Sequence, residues 1–166
     1  MKNNIVLIGM PGVGKSSAGV VLAKILGYEF IDSDLVIQKK EKRLLKDIIA
    51  QEGNEGFLET ENRINAGLEA ENSVIATGGS VIYGKEAMEH FRQIGTIVYL
   101  RAEYDTINSR LSNLKGRGVA IKEGQTLLDL YNERTALYEH YADIIIDLDG
   151  LTIEETVNRL AKMLKK

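Results

Sequence analysis

The chain has 166 residues, enough for one domain with a single core. It contains no cysteine, which excludes disulfides and thiolate metal sites. A net charge of −3 argues against a nucleic-acid partner, and no stretch comes near the roughly 20 apolar residues that span a bilayer, so a soluble cytoplasmic protein is expected.

Residues 4–9 (NIVLIG) form an unbroken apolar run, the pattern of a strand covered on both faces. So short a run, entering glycines at once, is not expected to be a secretion signal. Gly9, Gly14, Lys15 and Ser16 fit the spacing G-x-x-x-x-G-K-[ST], with Gly12 between them. A chain leaving a strand in this way turns around a phosphate with successive N–H groups pointing inward, and glycine permits angles and close approach that a side chain forbids. Gly12, Val13, Gly14, Lys15, Ser16 and Ser17 are therefore the expected nucleotide-binding residues. Lys15 serves the terminal phosphates and the Ser16 hydroxyl a Mg²⁺ ion. A chance glycine-rich turn is the alternative. The strand before the motif and the helix after it, closed by Gly27, decide for phosphate binding.

Residues 28–32 (YEFID) are the second expected strand. Asp32 and Asp34 stand two apart at its end, a spacing that sends both side chains of an extended chain to one face. In a parallel sheet that end opens onto the ligand crevice beside the phosphate loop. Asp32 is expected to hold the metal's water shell, and Asp34 to orient or deprotonate an acceptor hydroxyl. A helix N-cap role for Asp34 is the competing reading. The long segment 33–72 holds more than one helix, with 38–43 (QKKEKR) a solvated helix face or connection.

Residues 73–77 (SVIAT), 95–100 (GTIVYL) and 142–147 (ADIIID) complete five expected strands, and their alternation with helical patterns predicts an α/β fold with a parallel sheet. Residues 112–124 are rich in glycine and basic residues, which reads as a mobile surface loop and is also what an ATP lid requires. Read alone, Arg110 is a surface charge at a helix end and Arg117 part of that loop. Arg134 shares a helical stripe with Leu127, Tyr131, Tyr138 and Tyr141, where a cation ordinarily snorkels. His90 and His140 are expected at the surface. The last helix opens on a capping box, Thr152 with Glu155, and places Ile153, Val157, Leu160, Ala161 and Leu164 on one face.

The chain length, the phosphate loop at position 9, Asp32-Ser33-Asp34 after the second strand and Thr77-Gly78-Gly79 after the third resemble the shikimate kinases, which are P-loop kinases of the nucleoside-monophosphate-kinase group. The resemblance covers nearly the whole chain. It implies a three-layer αβα P-loop NTPase fold in a single domain, 1–166, with a five-stranded parallel sheet, a helical substrate-binding region at about 33–72 and a mobile lid at about 112–124. It implies ATP and Mg²⁺ as cofactors and phosphorylation of a shikimate hydroxyl by a monomer. Residue by residue, it assigns Lys15 and Ser16 to phosphate and magnesium and makes Asp32 the second magnesium residue. Asp34 matches the contact to the ring hydroxyls, and Gly78 and Gly79 a turn that lets backbone approach the substrate. Arg110 matches an arginine against adenine, Arg117 a lid arginine at the transferred phosphate, and Arg134 a partner of the substrate carboxylate. Lys15, Asp34 and Arg117 are the expected catalytic set.

Three residues depart from the family pattern: Leu58 where an arginine is usual, Ser80 for the third glycine of the turn, and Gly118 for the proline after the lid arginine. Leu58 removes a cation from the expected substrate-binding set and from Glu61, one helical turn on. Arg63, five residues beyond Leu58, turns off that face. The expected acceptor is therefore shikimate held weakly, or a related polyol. A sugar-acid or nucleotide kinase and a non-catalytic nucleotide-binding module are the rival readings.

Overall fold

The computed structural model describes residues 3–112 and 124–164. Its strands are β1 (Asn4–Ile8), β2 (Glu29–Asp32), β3 (Ser73–Ala76), β4 (Gly95–Arg101) and β5 (Ile144–Asp147). They form one sheet in the order β2-β3-β1-β4-β5, every neighbouring pair parallel. All five lie where the apolar runs placed them. The helices are α1 (Lys15–Leu26), α2 (Ser33–Glu41), α3 (Leu45–Ala66), α4 (Lys85–Ile94), α5 (Tyr104–Ser112), α6 (Leu127–Tyr141) and α7 (Ile153–Leu164). On the sheet, α1 packs with α7, and α4 packs with α3. This is the α/β architecture expected.

Position in the sheet explains why the apolar runs are continuous. β1 is central, and all five of its residues are buried, Val6, Leu7 and Ile8 completely. Each such side chain contributes about 1.5–3 kcal/mol of transfer free energy. At the edge, β5 covers Ile146 but leaves Ile145 exposed. The one polar residue of β1, Asn4, ties three elements together at its start. Its amide nitrogen donates to the Ala70 and Ile94 carbonyls, both at 2.9 Å, and its oxygen accepts from the Ser73 amide at 3.0 Å.

The segment between β2 and β3 is helical throughout most of its length. α3 bends at Gly53 (φ 74, ψ 176), and Ile37, Ile48, Phe57 and Ile64 form a small apolar cluster between α2 and α3. The basic run 38–43 is more than a solvated face: Lys42 closes α2 in the left-handed conformation, and Arg43 pairs with Glu41 and Glu52, bracing α2 against α3. In α7 the capping box forms as expected, Thr152 Oγ1 accepting from the Glu155 amide. Ile153, however, is exposed, and Thr156 takes the buried position, its hydroxyl donating to the Thr152 carbonyl at 2.9 Å. His140 is exposed as expected, whereas His90 is half-buried, its Nε2 2.6 Å from the Leu68 carbonyl oxygen.

Candidate active site

Beyond the C-terminal ends of β1, β2 and β3 lies a cleft with a cavity volume of about 170 Å³. One wall is the glycine loop, where Gly12 (φ 83) and Gly14 (φ 96) adopt left-handed angles that other residues resist. Gly14 is the N-cap of α1 and has no side chain with which to cap that helix. The first amides of α1 and the helix dipole make the loop an anion site. Lys15 Nζ is buried over the loop and donates to the carbonyls of Gly9 at 2.7 Å and Met10 at 2.8 Å. Ser16 and Ser17 line the same wall. Val13 instead turns its side chain into the core, anchoring the loop from behind. Arg110 is exposed and braces the outside of the loop, donating to the Gly12 and Val13 carbonyls at 3.2 and 3.1 Å.

Asp32 links this wall to the next. Its Oδ2 accepts from the Ser16 hydroxyl at 3.3 Å, and its Oδ1 accepts from the amides of Asp34 and Leu35. The N-cap of α2 is therefore Asp32, not Asp34. Asp34 lies inside the first turn of α2, so strand alternation is not what brings the two carboxylates together. The strand-to-helix turn does that, and both line the cleft. Ser16 and Asp32 offer two hard oxygens side by side at the mouth of an anion site, the donor chemistry that Mg²⁺ takes alongside phosphate and water.

The opposite wall comes from the turn after β3 and from α3 and α6. A β-carbon on Gly78 would lie 2.7 Å from Asp34 Oδ1 and 3.0 Å from Glu61 Oε2; on Gly79 it would meet Pro11 Cδ at 2.7 Å and an Arg134 Nη at 2.9 Å. The two glycines thus let acidic and basic side chains close on the backbone. Arg134 is 1% exposed, so it does not snorkel. Its guanidinium lies 5.5 Å from the centre of the Tyr83 ring, a cation–π contact, while Tyr83 donates to Glu133. One turn further along α6, the buried Tyr138 hydroxyl donates to the Gly79 carbonyl at 2.5 Å and fixes the turn.

Glu61 is the group that sequence spacing underrated. It is 2% exposed, lines the cleft, and accepts a 2.6 Å hydrogen bond from Ser80. Burial, and secondarily the Asp34 carboxylate, push its carboxyl up to about 7 against the opposing pull of Ser80, Arg134 and Lys15. Leu58 sits half-buried against the α2–α3 apolar cluster, outside the cleft lining. Arg63 turns away, 66% exposed, toward Glu41. Arg117 and Gly118 fall within 113–123 and lie outside the described residues.

The shikimate kinase family model matches residues 11–165. The chain belongs to the shikimate kinase family. A shikimate kinase of Thermodesulfovibrio yellowstonii is 37% identical over 162 residues, covering 96% of this chain and 93% of that one. Another, from Francisella tularensis subsp. novicida, is 38% identical over 165 residues, covering 97% and 94%. The structure of a shikimate kinase from Acinetobacter baumannii in complex with shikimate superposes with a TM-score of 0.88 at 29% identity, covering 99% of this chain and 94% of that one. Of the three residues that depart from the pattern the resemblance implies, Ser80 donates its hydroxyl to Glu61, while Leu58 stands one helical turn before that carboxyl and packs on the α2–α3 cluster.

Proposed function

We propose that this chain transfers the γ-phosphoryl group of Mg·ATP to a hydroxyl of shikimate, forming shikimate 3-phosphate. The observation that carries the reading is that one cleft holds the phosphate loop at one end and Asp34 with Arg134 at the other. Lys15 and the α1 amides bind the phosphate tail and stabilise charge that develops on it. Ser16 and Asp32 are the residues that would hold Mg²⁺, which when bound neutralises phosphate charge. Asp34 orients the acceptor hydroxyl and takes up its proton, and Arg134 meets the acceptor's carboxylate. The turn at Gly78 and Gly79 presents backbone to the ring. Most of the rate comes from positioning, because the reaction asks little covalent chemistry of the protein.

The reading extends to a single-domain cytoplasmic monomer without nucleic-acid or membrane partners. One continuous core from β1 to α7 supports the single domain, and the net charge of −3 speaks against a nucleic-acid partner. Among the described residues no helix is long and apolar enough to cross a membrane. Light scattering tests the monomer.

A second reading is favoured by Leu58 and the buried Glu61. A cleft with a leucine at the position where the resemblance implies a second cation, and a buried carboxyl one turn on, suits a polyol without a carboxylate. Steady-state assays with Mg·ATP and a panel of shikimate, quinate, gluconate, inositol and nucleoside monophosphates decide. Preference for shikimate is expected; turnover of inositol alone would select the second reading, and no turnover of any acceptor would leave only nucleotide binding.

A further inference from the structure

The phosphate loop and the turn after β3 touch each other behind the cleft, and one side chain reaches both. A β-carbon on Gly79 would stand 2.7 Å from Pro11 Cδ and 2.9 Å from an Arg134 Nη, so the turn is pressed between the loop and α6. Tyr138, one helical turn beyond Arg134, is completely buried and does not line the cleft. Its hydroxyl donates to the Gly79 carbonyl at 2.5 Å and stands 3.8 Å from Met10 Sδ. Met10 in turn holds the loop's lysine, its carbonyl accepting from Lys15 Nζ at 2.8 Å.

Packing alone does not ask for this hydroxyl. A phenylalanine would fill the same space, whereas a buried phenol has to find a partner or cost stability. The ring is fixed by a separate contact. It lies 5.0 Å from the Tyr99 ring on β4, and the sheet register pairs Tyr99 with Ile8, the last residue of β1 before the loop. Burial holds the phenol well above its ordinary range, so the group stays a donor at any working pH. A donor anchored on β4 therefore bonds the turn at the point where turn and loop meet.

Phosphoryl transfer makes a demand on that point. The loop carries the donor phosphates and the turn presents backbone to the acceptor. The reacting atoms must approach within about 3–3.5 Å, and a misplacement of about 1 Å can cost on the order of 10²-fold in rate. We propose that Tyr138 is a positioning residue for the transfer: its hydroxyl sets the separation between the phosphoryl group on the loop and the acceptor hydroxyl that Asp34 orients. The proposal rests on the acceptor reading above.

The test compares wild type, Tyr138→Phe and Tyr131→Phe with Mg·ATP and shikimate. Tyr131 is the reference, because it lies on the same helix and also donates to a backbone carbonyl, that of Ala102 at 2.8 Å, outside the cleft lining. Tyr138→Phe should lower kcat by about tenfold to a hundredfold, with the KM of ATP and of shikimate each within about threefold of wild type. Free phosphate released per shikimate 3-phosphate formed should rise, since water competes better when the acceptor is out of line. Tyr131→Phe should lower the urea midpoint as Tyr138→Phe does, but leave kcat and that ratio near wild type. Should Tyr138→Phe fail to fold, Pro11→Ala thins the same junction from the loop side and should show the same split, with a few-fold loss of kcat. A kcat near wild type in the folded variant, a loss carried by KM, or a loss that Tyr131→Phe reproduces overturns this inference and leaves the function reading intact. No turnover of shikimate by wild type overturns the function reading and this inference with it.

Discussion

The phosphate loop is drawn from the contiguous residues 9–17, whereas the acceptor side is assembled from α2, α3, the turn after β3 and α6. The loop works through backbone: amides at a helix N-terminus, glycine angles, and one lysine reached from the same helix. The acceptor side works through side chains that meet only because the fold brings distant segments together, so each can be exchanged while the others stay. That is the pattern in this chain. The loop keeps its whole motif, whereas Leu58 and Ser80, two of the three departures from the pattern the resemblance implies, stand on α3 and on the turn after β3, and Ser80 bonds Glu61.

If the two halves are separable, substitutions in each should leave different signatures. Asp34→Asn keeps the shape but removes the proton acceptor, and kcat should fall about 10²–10⁴-fold. Calorimetric binding of Mg·ATP should change little; its loss would show that the halves are not independent. Lys15→Ala should lower kcat by about 10²–10³-fold. Because Lys15 serves the phosphates, that loss should be equal for every acceptor in the panel. A change in acceptor preference would place Lys15 on the wrong side of the comparison.

Glu61 distinguishes the halves by pH as well. Its carboxyl is raised from 4.5 to about 7, chiefly by burial, so between those values the folded state holds a proton that the unfolded state has released. Stability from this group is complete below about pH 4.5 and is lost as pH rises through about 7. The loss is on the order of 3 kcal/mol. Urea denaturation of wild type and Glu61→Gln at pH 5 and pH 8 should show it: the variant loses less stability across the interval. Equal slopes would mean that Glu61 is ionised in the folded protein throughout.

Much of the fold can be read from local pattern. Each strand shows as an apolar run, because a parallel sheet covered on both faces asks for little else, and the phosphate loop shows because its residues are consecutive. Asp32 and Asp34 were readable as a pair, but through the wrong geometry: a strand-to-helix turn, not strand alternation, brings them into the cleft. Arg134 on a tyrosine stripe looks like a snorkelling cation until the fold closes over it. The Glu61–Ser80 contact spans 19 positions and joins α3 to a turn, so no periodicity announces it. The signal available was that Leu58 and Ser80 both differ from the family. Only the fold brings α3 and the turn after β3 together.

Leu58→Arg asks whether the acceptor half lacks a cation or has replaced it. Leu58 is half-buried on α3, one turn before Glu61, so an arginine there can reach forward along the helix to that carboxyl. The substitution gives up part of an apolar contact with the α2–α3 cluster, a cost of about 1 kcal/mol in stability. If a cation is missing, the shikimate KM should fall about tenfold, because a charged hydrogen bond to the acceptor carboxylate is regained. The pH dependence of stability should flatten at the same time, since an adjacent guanidinium favours the ionised form of Glu61. The two readouts need not move together. A flattened pH profile with an unchanged KM would mean that the new arginine engages Glu61 alone and that the acceptor needs no cation at this position, which makes the acceptor half of this chain a rebuilt site instead of a weakened one.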